Sequence, residues 1–286
     1  MLLNFAKYEG LGNDFIIVKN LDGSITLTVE QIAGLCDRNF GIGADGLIFA
    51  RPSASADFFM DYYNSDGSLA EMCGNGIRCY AKYLTDEWLT DKTTLNVETR
   101  AGYKQVELVL DGGRPIGAKV DMGAPELEAL KIPVRVETDR AINEQFTFGD
   151  TTVNATCVSM GNPHFVIFVD DVKEAPVETL GPIIETSDYF PRNTNVEFAQ
   201  VISDDEIALR VWERGCGETL ACGTGACATL VAAALNNKTG RFAVIHLLGG
   251  DLSVTWDERD SVLMEGPANR VFTGTIDVKT LHTRRR

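Results

Sequence analysis

Alternating apolar and polar positions recur along the chain and predict β-strands in both of its halves. The segment Phe58–Tyr63 is strand-like and is followed at once by a turn rich in Asn, Asp and Gly. Val106–Leu110, followed by a glycine pair, has the pattern of the first arm of a hairpin. Ala243–Leu248 and Leu252–Trp256, separated by another glycine pair, predict a second hairpin.

Helical periodicity is scarcer and occurs in three places. Thr28-Val29-Glu30-Gln31 resembles a capping box and predicts the start of a helix. A second helix is expected after Cys73, with an apolar stripe that runs from Ile77 to Trp88. A third is expected after Cys222, and because it is apolar nearly all round it should be a buried central helix.

One short motif occurs twice, at a spacing of 149 residues. Met72-Cys73-Gly74-Asn75-Gly76 returns as Ala221-Cys222-Gly223-Thr224-Gly225. The same offset places Gly12-Asn13 on Gly161-Asn162 and the strand Phe58–Tyr63 on Ile207–Trp212. An offset shared by several places predicts two related halves.

The pattern therefore predicts an α+β fold with two pseudo-symmetric domains, each a mainly antiparallel, curved sheet or barrel around a central helix. The active site is expected in the cleft between them. The first domain should comprise residues 1–118, with 272–286 returning to it as a strand, and the second should comprise 119–271. The boundary is expected between Pro115 and Asp121, where the first half has run out of strands.

Composition narrows the functional classes. The chain has 286 residues and a net charge of −15, which disfavours a general nucleic-acid role because that role needs a basic surface. The first residues turn polar at once, unlike a signal peptide, and no stretch approaches the roughly 18 apolar residues of a membrane span. A cytoplasmic protein is the default expectation.

An odd number of cysteines, seven, argues against a disulfide framework, and the lack of CxxC spacing argues against a metal site.

Both cysteine motifs stand between a turn and an apolar helix, so each sulfur is expected near a helix N-terminus. The unpaired N–H groups there favour an anion, and the glycines let a ligand approach the backbone. A carboxylate bound there would place the α-carbon of an amino acid beside the thiol. Two thiols on opposite sides of one carbon suit removal of a proton from one face and its return to the other, which is the chemistry of a racemase or epimerase without a cofactor.

The simpler interpretation is a pair of ordinary buried cysteines, which are common in proteins. The matching register of Cys73 and Cys222 in the two halves favours the functional interpretation. Cys79 and Cys227 lie five or six positions into their helices and are predicted to pack in the core.

The chain resembles the diaminopimelate epimerase family over nearly its whole length. The resemblance rests on Gly10–Phe15, Tyr63–Gly67, Glu71–Gly76, Gly161–His164, Asn193–Asn195 and, most specifically, Trp212–Gly225. It implies cofactor-independent (PLP-independent) two-base epimerisation of LL- to meso-2,6-diaminopimelate, in lysine and peptidoglycan precursor biosynthesis. It also implies a fold that closes on its small-molecule substrate and a homodimer.

The resemblance assigns roles to individual residues. Cys222 would be the thiolate that takes the proton from the LL substrate, and Cys73 the thiol that returns one. His164 and Glu213 would flank the thiols and adjust their proton affinity. The residues implied in substrate binding, through side chains or backbone, are Asn13, Asn64, Gly74, Asn75, Asn162, Asn195, Glu213, Arg214, Gly223 and Thr224.

The chain departs from part of the family at Gly46, where some members carry a glutamine. The contact made by that glutamine should be lost here without a change of activity. The 149 offset places Gly46 on Asn195, so the halves differ where specificity is set.

Two other functions stay open on the sequence alone. The nearest is another cofactor-independent amino-acid racemase on the same fold, acting on a different side chain. The second is a non-catalytic amino-acid binder, which paired thiols disfavour.

Overall fold

The computed structural model describes residues 1–281, so residues 282–286 of the segment expected to return to the first domain lie outside the described residues. The chain forms two compact units. One contains Met1–Val120 and the segment from Gly266 onward, and the other contains Asp121–Glu265. The domain limits at 118 and 271 stay predictions.

The first unit is a mixed sheet with two helices. Its elements are β1 (Leu2–Gly10), β2 (Asn13–Lys19), α1 (Val29–Cys36), β3 (Gly46–Arg51), β4 (Phe58–Asn64), α2 (Gly74–Asp86), β5 (Thr94–Thr99), β6 (Gly102–Asp111) and β7 (Arg114–Asp121). Each strand pairs with the next along the chain, antiparallel except for β2–β3 and β4–β5. Helix α2 packs against β1, β2, β3 and β6, so the sheet curves around it.

The second unit repeats this arrangement with additional elements. It contains β8 (Glu144–Phe148), β9 (Thr151–Ser159), β10 (Pro163–Phe168), α3 (Val177–Glu185), β11 (Asn195–Ser203), β12 (Glu206–Glu213), β13 (Gly217–Thr219), α4 (Gly223–Leu235), β14 (Phe242–Leu247), β15 (Gly250–Trp256) and β16 (Val262–Pro267). The pairs β10–β11 and β12–β14 are parallel and the other pairs are antiparallel. Helix α4 is the central helix, packed against β9, β10, β11, β14 and β15.

The offset of 149 residues extends through the whole repeat. Helices α2 and α4 have bounds that match residue for residue, as do β1 and β9. Phe15 of β2 pairs with Gly46 of β3, and the residues 149 later, His164 and Asn195, pair in the same way. The last strand, β17 (Asn269–Asp277), pairs with β1 as β8 pairs with β9. These relations confirm the predicted α+β class and its pseudo-symmetry.

Local signals account for the helix ends. Thr28 and Gln31 form the predicted capping box at α1, with each side chain bonded to the backbone of the other residue. The prediction that Trp88 belongs to the apolar stripe of α2 is wrong. The helix ends at Asp86 in a Schellman motif, with Trp88 at a positive φ of 56° and Leu89 N–H bonded to Leu84 O, so the indole is exposed.

Among residues 1–281, no helix is long and apolar enough to cross a membrane. The predicted core positions Cys79 and Cys227 are both fully buried.

Candidate active site

Cys73 is the N-cap residue of α2, with extended φ and ψ of −138° and 124°. Its sulfur donates to Asn13 Oδ1 at 3.4 Å, and Asn75 Nδ2 donates to the same oxygen at 3.3 Å. Gly76 is tightly packed, since a β-carbon there would lie 3.2 Å from Met60 Cε and 3.3 Å from the ring of Phe15. The small residues thus let the start of the helix approach the strands, and they bring Cys73, Asn13 and Asn75 together.

The side chain of Asn13 is held by a charged network. Its Nδ2 donates to Asp45 Oδ2 at 2.7 Å, which fixes the amide so that Oδ1 faces Cys73. Arg38 bridges Asp14 and Asp45 with bonds of 2.7 to 3.0 Å. Burial favours the protonated form of Asp14, but Arg38 and Lys7 bind its carboxylate and lower its pKa. Because an amide oxygen accepts, this geometry favours a protonated Cys73.

Arg78 also belongs to this region, although no sequence pattern singled it out. It is completely buried one turn into α2. Its guanidinium donates to Gly74 O at 3.1 Å, to Asn75 Oδ1 at 2.9 Å and to Pro267 O at 3.4 Å. Arg78 therefore fixes the backbone and the side chain that follow Cys73.

Asn64 ends β4 and is half-buried, next to the predicted turn. Its Nδ2 donates to Ser68 Oγ at 3.0 Å, and Gly67 completes the turn at a φ of 84°. The predicted turn is confirmed, while the role of Asn64 in substrate binding stays a prediction.

Cys222 is the N-cap residue of α4, in the position that Cys73 has in α2, and it is buried. Its sulfur accepts the backbone N–H of Gly225 at 3.3 Å and lies 3.5 Å from Thr224 Oγ1. Cys222 thus accepts a backbone N–H and also contacts the carboxyl of Glu213, whereas Cys73 faces an amide oxygen. Gly223 and Thr224 lie in the first turn of the helix, where N–H groups are available to an anion.

His164 is completely buried on β10 and contacts several side chains of the second unit. Its Nδ1 lies 2.6 Å from Glu197 Oε1, and its Nε2 lies 3.1 Å from Asn162 Oδ1. Asn162 in turn donates through Nδ2 to Thr224 Oγ1 at 3.3 Å. The predicted residues His164, Asn162 and Thr224 therefore form one connected group beside Cys222.

Glu197 was not among the predicted site residues, and it is completely buried on β11. A β-carbon placed on Gly225 would lie 2.8 Å from Glu197 Oε1 and 3.3 Å from Cys222 Sγ, so the carboxyl and the sulfur are neighbours. Burial raises the pKa of Glu197, although the contact with His164 opposes this. The 149-residue offset could have identified Glu197 from the sequence, because it shows a charged residue where the first half has the apolar Ile48.

Glu213 is half-buried at the end of β12, and its Oε1 accepts the hydroxyl of Thr219. Loss of water contact raises the pKa of Glu213, and burial raises the pKa of Cys222 well above its ordinary value. When ionised, the carboxyls of Glu213 and Glu197 raise the pKa of Cys222 further, while Thr224 and the N–H of Gly225 lower it. A thiolate at Cys222 is therefore strongly basic, and its formation depends on the hydrogen-bond donors that stabilise its charge.

Asn195 and Arg214 lie together at the edge of this group. Asn195 is buried, and its Oδ1 accepts the backbone N–H of Arg214 at 2.9 Å. The exposed side chain of Arg214 donates to Arg192 O at 3.0 Å. This leaves the guanidinium at the protein surface, where a carboxylate can reach it.

Gly46 occupies a position where no larger residue fits without a shift of the backbone. A β-carbon there would lie 2.6 Å from the ring of Tyr62 and 2.6 Å from the backbone oxygen of Tyr63. The glutamine of some family members is thus excluded by packing in this chain.

Among the described residues, no group of three or more His, Cys, Asp or Glu side chains has a geometry that could hold a metal ion.

Comparison with known proteins gives a consistent result. A model of the family described as "Diaminopimelate epimerase" matches residues 5–128 and 156–271. The chain is 50% identical over 277 residues to the protein named diaminopimelate epimerase of Methanococcus maripaludis, covering 96% of this chain and 100% of that protein. It is 50% identical over 283 residues to the protein of the same name from Desulforapulum autotrophicum, covering 97% and 100%.

Solved structures show the same fold at low identity. A phenazine biosynthesis protein of the PhzF family from Bacillus anthracis superimposes with a TM-score of 0.70 at 17% identity, covering 97% of this chain and 99% of that one. A hydroxyproline epimerase from Agrobacterium vitis, with bound trans-4-hydroxy-L-proline, gives a TM-score of 0.68 at 13% identity, covering 96% and 91%.

Proposed function

This chain belongs to the diaminopimelate epimerase family, and on that premise we propose that Cys73 and Cys222 interconvert LL- and meso-2,6-diaminopimelate as an acid–base pair. One observation carries the proposal. Both thiols are N-cap residues of the central helices of their units, at equivalent positions of the repeat. A helix N-terminus binds a carboxylate through its N–H groups, so each sulfur stands where the α-carbon of an amino acid would be presented.

In the forward direction, Cys222 acts as the thiolate and takes the α-proton of the LL substrate. Cys73 then donates its S–H proton to the opposite face of the same carbon, which leaves Cys222 as the thiol and Cys73 as the thiolate. The hydrogen bonds agree with this starting state, since Cys222 Sγ accepts from Gly225 while Cys73 donates to Asn13. Exchange of one proton between the thiols and solvent restores the enzyme, and the reverse reaction uses the opposite roles.

The raised pKa of Cys222 has a direct chemical use. The α-proton of an amino acid is weakly acidic, so a more basic thiolate removes it more readily once that thiolate is formed. The N–H of Gly225 and the hydroxyl of Thr224 stabilise the thiolate. The α-ammonium of the substrate adds a positive charge, which Glu213 can pair with.

Substrate selection depends on the distal end of diaminopimelate, which carries a second ammonium and a second carboxylate. The exposed guanidinium of Arg214 suits a carboxylate, which it can bind in a bidentate manner. Asn13, Asn64, Asn162 and Asn195 would supply the remaining amide contacts. A substrate without the distal end leaves such groups unpaired, at a cost of about 1–3 kcal/mol for each buried one.

The direct test is a specificity assay with the purified protein. LL- and meso-diaminopimelate are expected to interconvert without added metal or pyridoxal phosphate, while single-ended amino acids such as lysine and proline react at least about tenfold more slowly. Equal or faster turnover of a single-ended amino acid would instead identify another racemase of the same fold. Absence of any cofactor, a homodimeric state and a cytoplasmic location are also part of this proposal.

A further inference from the structure

Four contacts connect Glu197 to Cys222 within the second unit. The first two lie on either side of the His164 ring, from Nδ1 to Glu197 Oε1 at 2.6 Å and from Nε2 to Asn162 Oδ1 at 3.1 Å. The third is the bond from Asn162 Nδ2 to Thr224 Oγ1 at 3.3 Å. The fourth joins Thr224 Oγ1 and Cys222 Sγ at 3.5 Å. These contacts form a hydrogen-bond series that begins at the buried Glu197 carboxyl and ends at the Cys222 sulfur.

Which group donates and which accepts along this hydrogen-bond series depends on which ring nitrogen of His164 carries the hydrogen. An amide oxygen only accepts, so the contact with Asn162 Oδ1 places the hydrogen on Nε2. The amide of Asn162 then donates to Thr224 Oγ1. Either atom of the Thr224–Cys222 contact can donate, and with this orientation of Asn162 the Thr224 hydroxyl can direct its hydrogen to the sulfur. With the N–H of Gly225, the sulfur accepts two hydrogen bonds, as a thiolate requires.

The surroundings of Nδ1 indicate that this nitrogen carries no hydrogen of its own. Besides Glu197, the Nδ2 group of Asn195 faces it at 3.4 Å. The Asn195 amide is held in that orientation because its Oδ1 accepts the N–H of Arg214 at 2.9 Å. A donor that faces Nδ1 fits an accepting nitrogen. The hydrogen in the 2.6 Å contact then belongs to Glu197.

The burial of Glu197 favours the same protonation state. Its side chain has no exposed surface, and its Oε2 has no hydrogen-bond partner among the described residues. A buried carboxylate with an unpaired oxygen is costly, whereas a carboxylic acid is much less so. Burial accordingly raises the pKa of this carboxyl, although His164 and the backbone N–H groups of Phe165 and Glu197 oppose the rise.

We propose that Glu197 is a positioning residue that works as a neutral carboxylic acid, donating to His164 Nδ1 and so directing the hydrogen-bond chain at Cys222. An ionised Glu197 beside a neutral ring would place the hydrogen on Nδ1 and reverse the chain, and Thr224 would then accept from the Cys222 thiol. This inference rests on the proposed function, since it concerns how Cys222 is kept ready to act as a base.

Among the described residues, this hydrogen-bond series occurs in the Cys222 half alone. At the equivalent positions of the first unit stand Phe15 and Ile48, which are apolar and buried. Glu197 from β11 and Glu213 from β12 act on the pKa of Cys222, while His164 from β10 contacts Glu197 and acts on the pKa of Glu213. A neutral Glu197 leaves Glu213 as the carboxylate that opposes the thiolate.

The test compares two substitutions at one position. Glu197→Gln keeps the shape and an N–H donor for Nδ1, and it cannot ionise, so kcat is expected within about threefold of the wild type. Glu197→Leu keeps similar bulk without a donor, and kcat should fall by roughly tenfold or more, with a smaller change in KM. Glu144→Gln, on β8 of the same unit, is the matched control and should leave kcat unchanged.

Two spectroscopic readouts separate positioning from simple packing. The chain has only three histidines, so ¹⁵N signals of the His164 ring can be assigned with a His164→Gln variant. The neutral Nε2–H tautomer is expected in the wild type and in Glu197→Gln at neutral pH. The infrared band of a protonated carboxyl should be present in the wild type at neutral pH and missing from Glu197→Gln.

The proposal is overturned by an imidazolium spectrum for His164, by no difference in that infrared band, or by a Glu197→Gln variant as impaired as Glu197→Leu. If Glu197→Leu does not fold, the spectra and kcat of the wild type and Glu197→Gln still test whether Glu197 acts as a neutral acid. Failure of the proposed function is a separate result, because Cys222→Ala would then keep its activity whatever the tautomer of His164.

Discussion

Glu197 Oε1 lies 2.6 Å from His164 Nδ1, and neither side chain has any exposed surface. At the equivalent positions of the first unit the chain has Ile48 and Phe15. The two halves thus have equivalent strands and helices but different side chains here. Among the described residues, a buried carboxyl–imidazole pair occurs only in the half with Cys222. Such a difference is what a reaction with unlike roles for two thiols requires.

The stability of Glu197→Gln should depend on pH in a defined direction. The pKa of Glu197 is raised above its ordinary value of 4.5 by burial. Such a group contributes its stability below the unfolded pKa and loses it as pH rises through the folded pKa. Glutamine removes this loss, so the stability of the variant relative to the wild type should increase by about 1.4 kcal/mol per pH unit above 4.5, until Glu197 ionises in the folded protein.

Urea unfolding of both proteins between about pH 4.5 and pH 7 measures this difference. A variant that becomes less stable than the wild type as pH rises would indicate a charged pair between Glu197 and His164, and would contradict a neutral acid.

Replacing either thiol should abolish epimerisation. General acid or base catalysis contributes about 10²–10⁴-fold, so Cys73→Ala and Cys222→Ala are each expected to lose at least 100-fold in kcat/KM. Cys216→Ser, at an exposed position, is the control and should retain full activity. Circular dichroism checks that all three variants are folded. Full activity in either alanine variant would rule out the two-thiol mechanism.

Gly46 should not tolerate the glutamine that some family members carry. A β-carbon at this position meets the backbone oxygen of Tyr63 at 2.6 Å, so the clash arises with any side chain. Gly46→Ala and Gly46→Gln should each lower the free energy of unfolding by about 1–3 kcal/mol. Gly240→Ala, where no atom lies within 4 Å, provides the comparison. An unchanged urea midpoint for Gly46→Gln would show that the strand adapts.

Arg78 should be essential for the stability of the Cys73 helix. Arg78→Met leaves the acceptors on Gly74, Asn75 and Pro267 without their donor, at about 1–3 kcal/mol for each one that stays buried and unpaired. Arg78→Lys keeps the charge without the planar fork and should recover only part of this loss. Unfolding in urea measures both, beside Arg259→Gln as an exposed arginine. Wild-type stability in Arg78→Met would refute the structural role of the guanidinium.

The repeat made much of the fold predictable. One offset, visible at Cys73 and Cys222, fixed which segments are equivalent, and the structure extends it to the whole repeat. The capping box at Thr28 and the glycine-rich hairpins were predictable because they are local signals. The prediction for Trp88 was wrong because its spacing fits the apolar stripe of α2. The helix ends before it through a positive φ at Trp88 itself, a conformation that tryptophan rarely adopts and that the sequence therefore does not signal.

Two buried charged residues could not be predicted from local patterns. Glu197 lies on a strand whose first five residues are all buried, so the alternation that would assign it to one face is lost. Arg78 adjoins the apolar stripe of α2, where a long charged side chain usually reaches solvent. Only the contacts of the folded chain show that each is buried with specific partners.

Isotope incorporation tests the two-thiol account most directly. LL-diaminopimelate is incubated with the enzyme in heavy water, and both isomers are isolated after a few per cent of conversion. Because the base that removes the proton is not the acid that supplies one, deuterium is expected at the α-carbon of the meso product and not in the recovered LL substrate. Equal deuterium in both isomers from the start would show a single base and contradict the assignment of Cys73 and Cys222.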